Sequence, residues 1–114
     1  MDKEERADSL METFKEKLDN MAESNKGWTK TIQVAFTDIE RVYIMGVGED
    51  GTVQKFDKKP LAEKESADAT VTMTVDVIDG ILKKELNPMM AVMQGKIKID
   101  GDMSVLTRLQ PVFT

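Results

Sequence analysis

The chain has 114 residues, 40% of them apolar, and a formal net charge of −5. That length supplies one hydrophobic core and not two, and the acidic balance argues against nucleic acid, whose binding needs lysine and arginine to displace counterions. There is neither cysteine nor histidine, which excludes disulfides and thiolate chemistry and removes the commonest general base and metal ligand together. One domain over residues 1–114 is the expectation.

The first twenty residues, MDKEERADSLMETFKEKLDN, are charged at helical intervals and contain no apolar core of a secretory signal. No run approaches the roughly 18 apolar residues of a spanning helix, and the ending QPVFT is not a peroxisomal SKL type. Cytoplasmic residence is the resulting expectation.

Leu10, Met11, Phe14, Leu18, Met21 and Ala22 recur at three- and four-residue steps and predict a long amphipathic helix. Its acidic excess opposes anionic lipid, so the stripe is read as packing on a sheet rather than on a membrane. After Ser24-Asn25-Lys26-Gly27 the period changes to two, with Trp28, Ile32, Val34 and Phe36 sharing one face. A second strand over residues 39–47 places Tyr43 and Met45 on one side and Val42 and Ile44 on the other. Gly48-Glu49-Asp50-Gly51 turns the chain into a third strand over 52–57, giving a meander.

Residues 58–68 are polar, contain Pro60 and read as a loop with at most one helical turn. In residues 69–75 threonines alternate with Ala69, Val71, Met73 and Val75, a fourth strand with one apolar face. Asp76 is expected to cap a helix reaching Leu86, with Val77, Ile78, Ile81, Leu82 and Leu86 on its buried side. Asn87 with Pro88 starts another, since asparagine caps well and proline suits the first helical position. Gly95 ends it. Residues 96–100 form a fifth strand with Lys96 and Lys98 facing water, and a last helix carries Met103, Leu106, Leu109 and Phe113, with Pro111 kinking its end. The order implies an α+β arrangement with a mainly antiparallel five-stranded sheet covered on one face by helices.

Polar motifs in the chain favour structural roles. Gly46-Val47-Gly48-Glu49-Asp50-Gly51 fits G-x-G-x-x-G, but a strand follows instead of a helix and two acids would repel a phosphate, so it is a hairpin turn. Asp100 and Asp102 lack the other oxygen ligands of a calcium loop, and Asp76 with Asp79 complements a helix start. Tyr43 reads as strand packing. No catalytic, metal-binding or cofactor-binding residue stands out. The methionine-rich stretch 89–93 is open to two readings, an ordinary core or a deformable cavity wall.

The run Asn87-Pro88-Met89-Met90-Ala91-Val92-Met93-Gln94-Gly95-Lys96-Ile97-Lys98-Ile99-Asp100-Gly101-Asp102 resembles the carboxyl-terminal signature of the sterol carrier protein type two domain, the non-specific lipid-transfer domain. The order of upstream elements is similar over nearly the whole chain. Lys84-Glu85-Leu86 departs from the usual Gly-x-Leu before the proline. The resemblance implies non-enzymatic binding of a fatty acid, acyl-CoA or sterol-like lipid in an apolar tunnel between helices and sheet. Its expected lining is Met73, Ile78, Ile81, Leu82, Met89, Met90, Met93, Leu106, Leu109 and Phe113. Transient membrane contact is a further expectation, with no nucleic acid partner given the acidic balance, and the oligomeric state stays open, a homodimer included. The rival expectation is an accessory dimerisation or regulatory module of a larger enzyme system, with a closed core.

Overall fold

A computed structural model describes residues 2–113, apart from the side chains of Leu106 and Phe113. The first element starts with a reciprocal cap: the Asp2 carboxylate accepts the Glu5 N–H at 2.8 Å while the Glu5 carboxylate accepts the Asp2 N–H at 3.3 Å. Helix α1 (Lys3–Asp19) follows and buries Ala7, Met11, Phe14 and Leu18 along one stripe. A short α2 (Ala22–Asn25) leads into the sheet.

Strands β1 (Thr31–Phe36), β2 (Arg41–Val47) and β3 (Val53–Pro60) form the expected meander. The β2–β3 turn owes its shape to Gly51, whose φ is +87 and whose missing Cβ would lie 2.0 Å from the Ala22 carbonyl oxygen. Asp50 spends its carboxylate on the backbone N–H and hydroxyl of Thr52. The glycine run is therefore a turn packed against α2, as the residues implied.

Strand β4 (Ala69–Met73) joins β1 in parallel, and β5 (Lys98–Gly101) closes the other edge, giving the order β3-β2-β1-β4-β5. All other neighbours are antiparallel. Ile32, Val34 and Phe36 of β1, Tyr43 and Met45 of β2, and Ala69, Val71 and Met73 of β4 share a core with α1, with α3 (Val75–Leu82), with Ala91 of α4 (Pro88–Met93) and with α5 (Ser104–Leu109). A 3₁₀ turn over Gln110–Phe113 follows α5.

The opposite face of the sheet is not bare. Ala35, Val42 and Ile44 are buried there beneath Leu61 of the β3–β4 crossover. Buried Gln33 pins that crossover. Its side-chain nitrogen donates to the Glu65 carbonyl and to the Thr70 hydroxyl, and its oxygen accepts the Glu65 N–H at 3.2 Å.

Element boundaries moved where backbone geometry outweighs residue pattern. β3 extends through Lys58 and Lys59 to Pro60, because an edge strand tolerates a proline with no ladder N–H. β2 starts only at Arg41, after Glu40 at φ 53. Helix α3 begins at Val75 rather than beyond Asp76, and its first amide donates to the Asp38 carboxylate across the sheet at 3.2 Å. It stops at Leu82 because Lys84 turns left-handed at φ 63, and the Glu85 and Leu86 amides fold back onto the Gly80 carbonyl.

Helix α1 is tied to α3 by charge. Arg6 donates to Asp76 at 2.9 Å and to Asp79, and Lys83 lies 3.3 Å from Asp79. The Arg6 hydrogen bond holds the Asp79 carboxyl below its ordinary range, against the burial that would raise it. A depressed carboxylate contributes stability in full above the unfolded aspartate value of about 3.9 and loses it as pH falls through the folded value.

Two outcomes are expected. Gln33→Met, close in volume but unable to hydrogen-bond the crossover, loses about 1–3 kcal/mol of stability in urea unfolding; an unchanged midpoint would contradict the pinning role. Urea unfolding between neutral pH and pH near 3 shows a shallower acid loss for Asp79→Asn than for the parent chain. Identical acid limbs would remove Asp79 from the account.

Candidate ligand site between the sheet and the helices

Two elements of the sheet and three of the helical layer converge on one apolar seam. Val34 on β1 and Val71 and Met73 on β4 form its floor, and Phe14, Ile78, Ile81, Ile97 and Leu109 form its roof. Alternation along each strand presents these floor residues to the same side. The seam encloses a void of about 20 Å³, room for about one water molecule. Ligand pockets typically measure about 300–1,000 Å³. The expected tunnel is thus closed here, and an acyl chain enters only if the roof lifts from the floor.

An open groove of about 550 Å³ lies at the end of β4, lined by Thr37, Thr72, Met73 and Thr74, by Asp76 and Val77 of α3, and by Leu86, Gly95, Lys96 and Lys98. Met73 lines both the groove and the void and is 5% exposed. Its flexible thioether chain is the lining residue the groove and the void share. Lys96 and Lys98 are exposed, as expected, and neither has an ion-pair partner among the described residues.

Of the residues expected to line the tunnel, Met73, Ile78, Ile81 and Leu109 meet on the void. Leu82 is half-buried and packs against the core from its margin. Met89, Met90 and Met93 do not join them: they are 45%, 47% and 79% exposed. The reason lies in the phase of α4. Asn87 caps it as expected, accepting the Met89 and Met90 amides at 2.8 and 3.2 Å, and the helix then turns Ala91 fully inward. On a helix with one small buried anchor, positions 89, 90 and 93 fall on the outer side.

Leu106 and Phe113 lie outside the described side chains. The buried residues at that end are Val105, Leu109 and Val112, and Met103, expected on the apolar stripe, precedes α5 and is 54% exposed. Phe14, Val34, Val71 and Ile97 line the void without having been singled out for it. In sequence they are ordinary core positions; the β1–β4 pairing sets Val34 beside Val71, and Phe14 of α1 and Ile97, just ahead of β5, line the same void.

Polar groups near the seam are committed to structure. The Tyr43 hydroxyl donates to Asp8, burial and that carboxylate raise the Tyr43 pKa, and its ring meets Phe36 edge-on at 5.6 Å. It ties α1 to the sheet. Among the described residues no group of three or more acids is placed to hold a metal ion, and no helix is long and apolar enough to cross a membrane.

No curated protein matches the chain by sequence. Among solved structures, sterol carrier protein 2 from Aedes aegypti in complex with palmitate superposes with a TM-score of 0.74 at 19% identity, covering 96% of this chain and 94% of that one. Sterol carrier protein 2 like 2 from the same organism gives 0.70 at 21% identity, covering 94% and 95%. An inverting sec-alkylsulfatase from a Pseudomonas species gives 0.64 at 22% identity over 81% of this chain, which spans only 14% of that enzyme. These likenesses establish the fold. The model of the SCP-2 sterol transfer family matches residues 8–114, and the chain belongs to that family.

Proposed function

We propose that residues 1–114 act as one non-catalytic domain that binds and carries a single-chain lipid, a fatty acid or its acyl derivative, in the seam between sheet and helices. The observation that carries this reading is the lining of the void, in which every residue is apolar. The palmitate complex of the mosquito sterol carrier protein 2 supports it. With no polar group in the seam, binding energy comes from the chain itself. Each methylene transferred contributes about 0.8 kcal/mol, so a dozen carbons supply about 10 kcal/mol toward lifting the roof. Selectivity by chain type is correspondingly loose. Entry passes Met73, from the groove whose Lys96 and Lys98 suit an acidic head group.

A second reading is an accessory module with a permanently closed core. The smallness of the void favours it, as does the occurrence of this fold as 14% of a sulfatase.

Displacement of a fluorescent fatty acid by palmitate separates the two, with native mass spectrometry of the purified chain as a second readout. Saturable displacement and a one-to-one lipid adduct are expected; absence of both would reject carriage. Met73→Ala is expected to lose about 2–5 kcal/mol of stability and to take up the probe faster, whereas an accessory module shows the first effect alone. Met93→Ala, on the outer side of α4, is expected to change stability by less than about 0.5 kcal/mol and to leave affinity in solution unaltered.

A further inference from the structure

The sheet has two edge strands, β3 and β5, and they are finished differently. In β3 the register shifts opposite Gly46 and Val47, the strand ends in Pro60, the Val53 amide is taken by Asp19 at 2.8 Å, and Lys58 reaches across to Asp8. Bulges, prolines and lysines of this kind keep an edge strand from pairing. β5 has neither bulge nor proline. The Asp102 amide donates to the Asp68 carbonyl at 2.8 Å, so in the antiparallel register Asp100 and Lys98 exchange hydrogen bonds with Thr70 and Thr72. At the alternate positions Ile99 and Gly101 therefore turn N–H and C=O outward, where no partner meets them among the described residues.

The charges of this edge complement a second copy of themselves. About Ile99, the run Lys96-Ile97-Lys98-Ile99-Asp100-Gly101-Asp102 has lysines on one side and aspartates at matching distances on the other. An antiparallel copy turned about a two-fold axis at Ile99 sets Lys98 opposite the partner subunit's Asp100 and Lys96 opposite the partner subunit's Asp102. Lys96, Lys98 and Asp100 are exposed and form no ion pair among the described residues. Asp102 is already held by Lys30 at 3.7 Å and by the Ser104 amide. The segments leading into and out of β5 carry Met93, 79% exposed, and Met103, 54% exposed, apolar surface of the kind a partner covers.

We propose that two copies of the chain pair through β5, antiparallel about Ile99, into one continuous sheet. Each Ile99 then donates its N–H to, and accepts at its C=O from, Ile99 of the partner subunit. Lys98 and Asp100 form two identical cross-strand pairs, and opposite charges so placed stabilise a strand pairing that like charges oppose. The contact is isologous and closes at two copies, leaving the guarded β3 at both outer edges. Pairing at this edge does not depend on carriage of a lipid.

The test is sedimentation equilibrium of the full chain at concentrations up to about millimolar. A reversible dimer is expected, and protection of the Ile99 amide from hydrogen exchange rises with concentration. Lys98→Asp alone, or Asp100→Lys alone, sets like charges opposite each other and raises the dimer dissociation constant about tenfold or more, with the circular dichroism spectrum unchanged. An equal mixture of these two variants restores dimerisation, because in the mixed pair every lysine again meets a carboxylate. Lys98→Asp combined with Asp100→Lys on one chain restores it as well. Asp57→Lys on the β3 edge, the same change of net charge as Asp100→Lys, alters the constant by less than about twofold at physiological salt. A monomer throughout, an Ile99 amide whose exchange ignores concentration, single reversals without effect, or a mixture no tighter than either variant alone overturns the pairing.

Discussion

The parallel pairing of β1 with β4 is the constraint from which the rest of the molecule follows. It sets Ile32 beside Ala69, Val34 beside Val71 and Phe36 beside Met73. Because side chains alternate along each strand, this register merges two apolar rows into one floor under the helices, and a slip by one residue would turn a whole row to the other face. Parallel strands also demand a crossover. Here it runs over the opposite face, where Leu61 covers Ala35, Val42 and Ile44 and Gln33 binds the passing backbone of Glu65. Both faces are thereby closed by different means, a helical layer on one and a pinned loop on the other.

The two closures differ in how readily they give way. The crossover is held by directional hydrogen bonds from a buried amide. Apart from α1, with its 17 residues, the helical layer is built of short pieces, eight residues in α3 and six each in α4 and α5, too short to hold their shape without packing. Their hold on the floor is mainly apolar contact, and an acyl chain slid into the seam replaces such contact with more of the same kind. On the proposed carrier reading, opening falls on the helical side, and a ligand would select the opened form by as much as it prefers that form over the closed one. The charged ties of Arg6 to Asp76 and Asp79 keep α3 with α1, so these two helices are expected to move as a unit.

Much of the fold was legible in the residues. The stripe of α1, the alternation of β1, β2 and β4 and the Asn87-Pro88 start of α4 each rest on local chemistry, and each stands where its pattern put it. The site was legible only in part. Ile78, Ile81, Met73 and Leu109 lie on apolar faces whose direction their own element decides. Val34 and Val71 became neighbours through a pairing between strands 37 positions apart in sequence, and Phe14 of α1 lines the same void, which no local pattern reveals. The methionines of α4 stand outside for a physical reason: an apolar stripe normally marks the buried side of a helix, but here that side is held by Ala91, with Val92 half-buried beside it. An apolar cluster left in water is informative in its own right.

The central claim is that the closed seam between β1–β4 and the α1, α3 and α5 roof opens around a hydrocarbon chain. Methyl-resolved NMR of the isotope-labelled protein titrated with palmitate tests it most directly. The account predicts saturable shifts at the Val34, Val71, Ile78, Ile81 and Leu109 methyls, with contacts from these groups to the ligand chain and none from Val42 or Ile44 beneath the crossover. Methyl signals that stay in place at saturating ligand, or contacts confined to the protein surface, would contradict it.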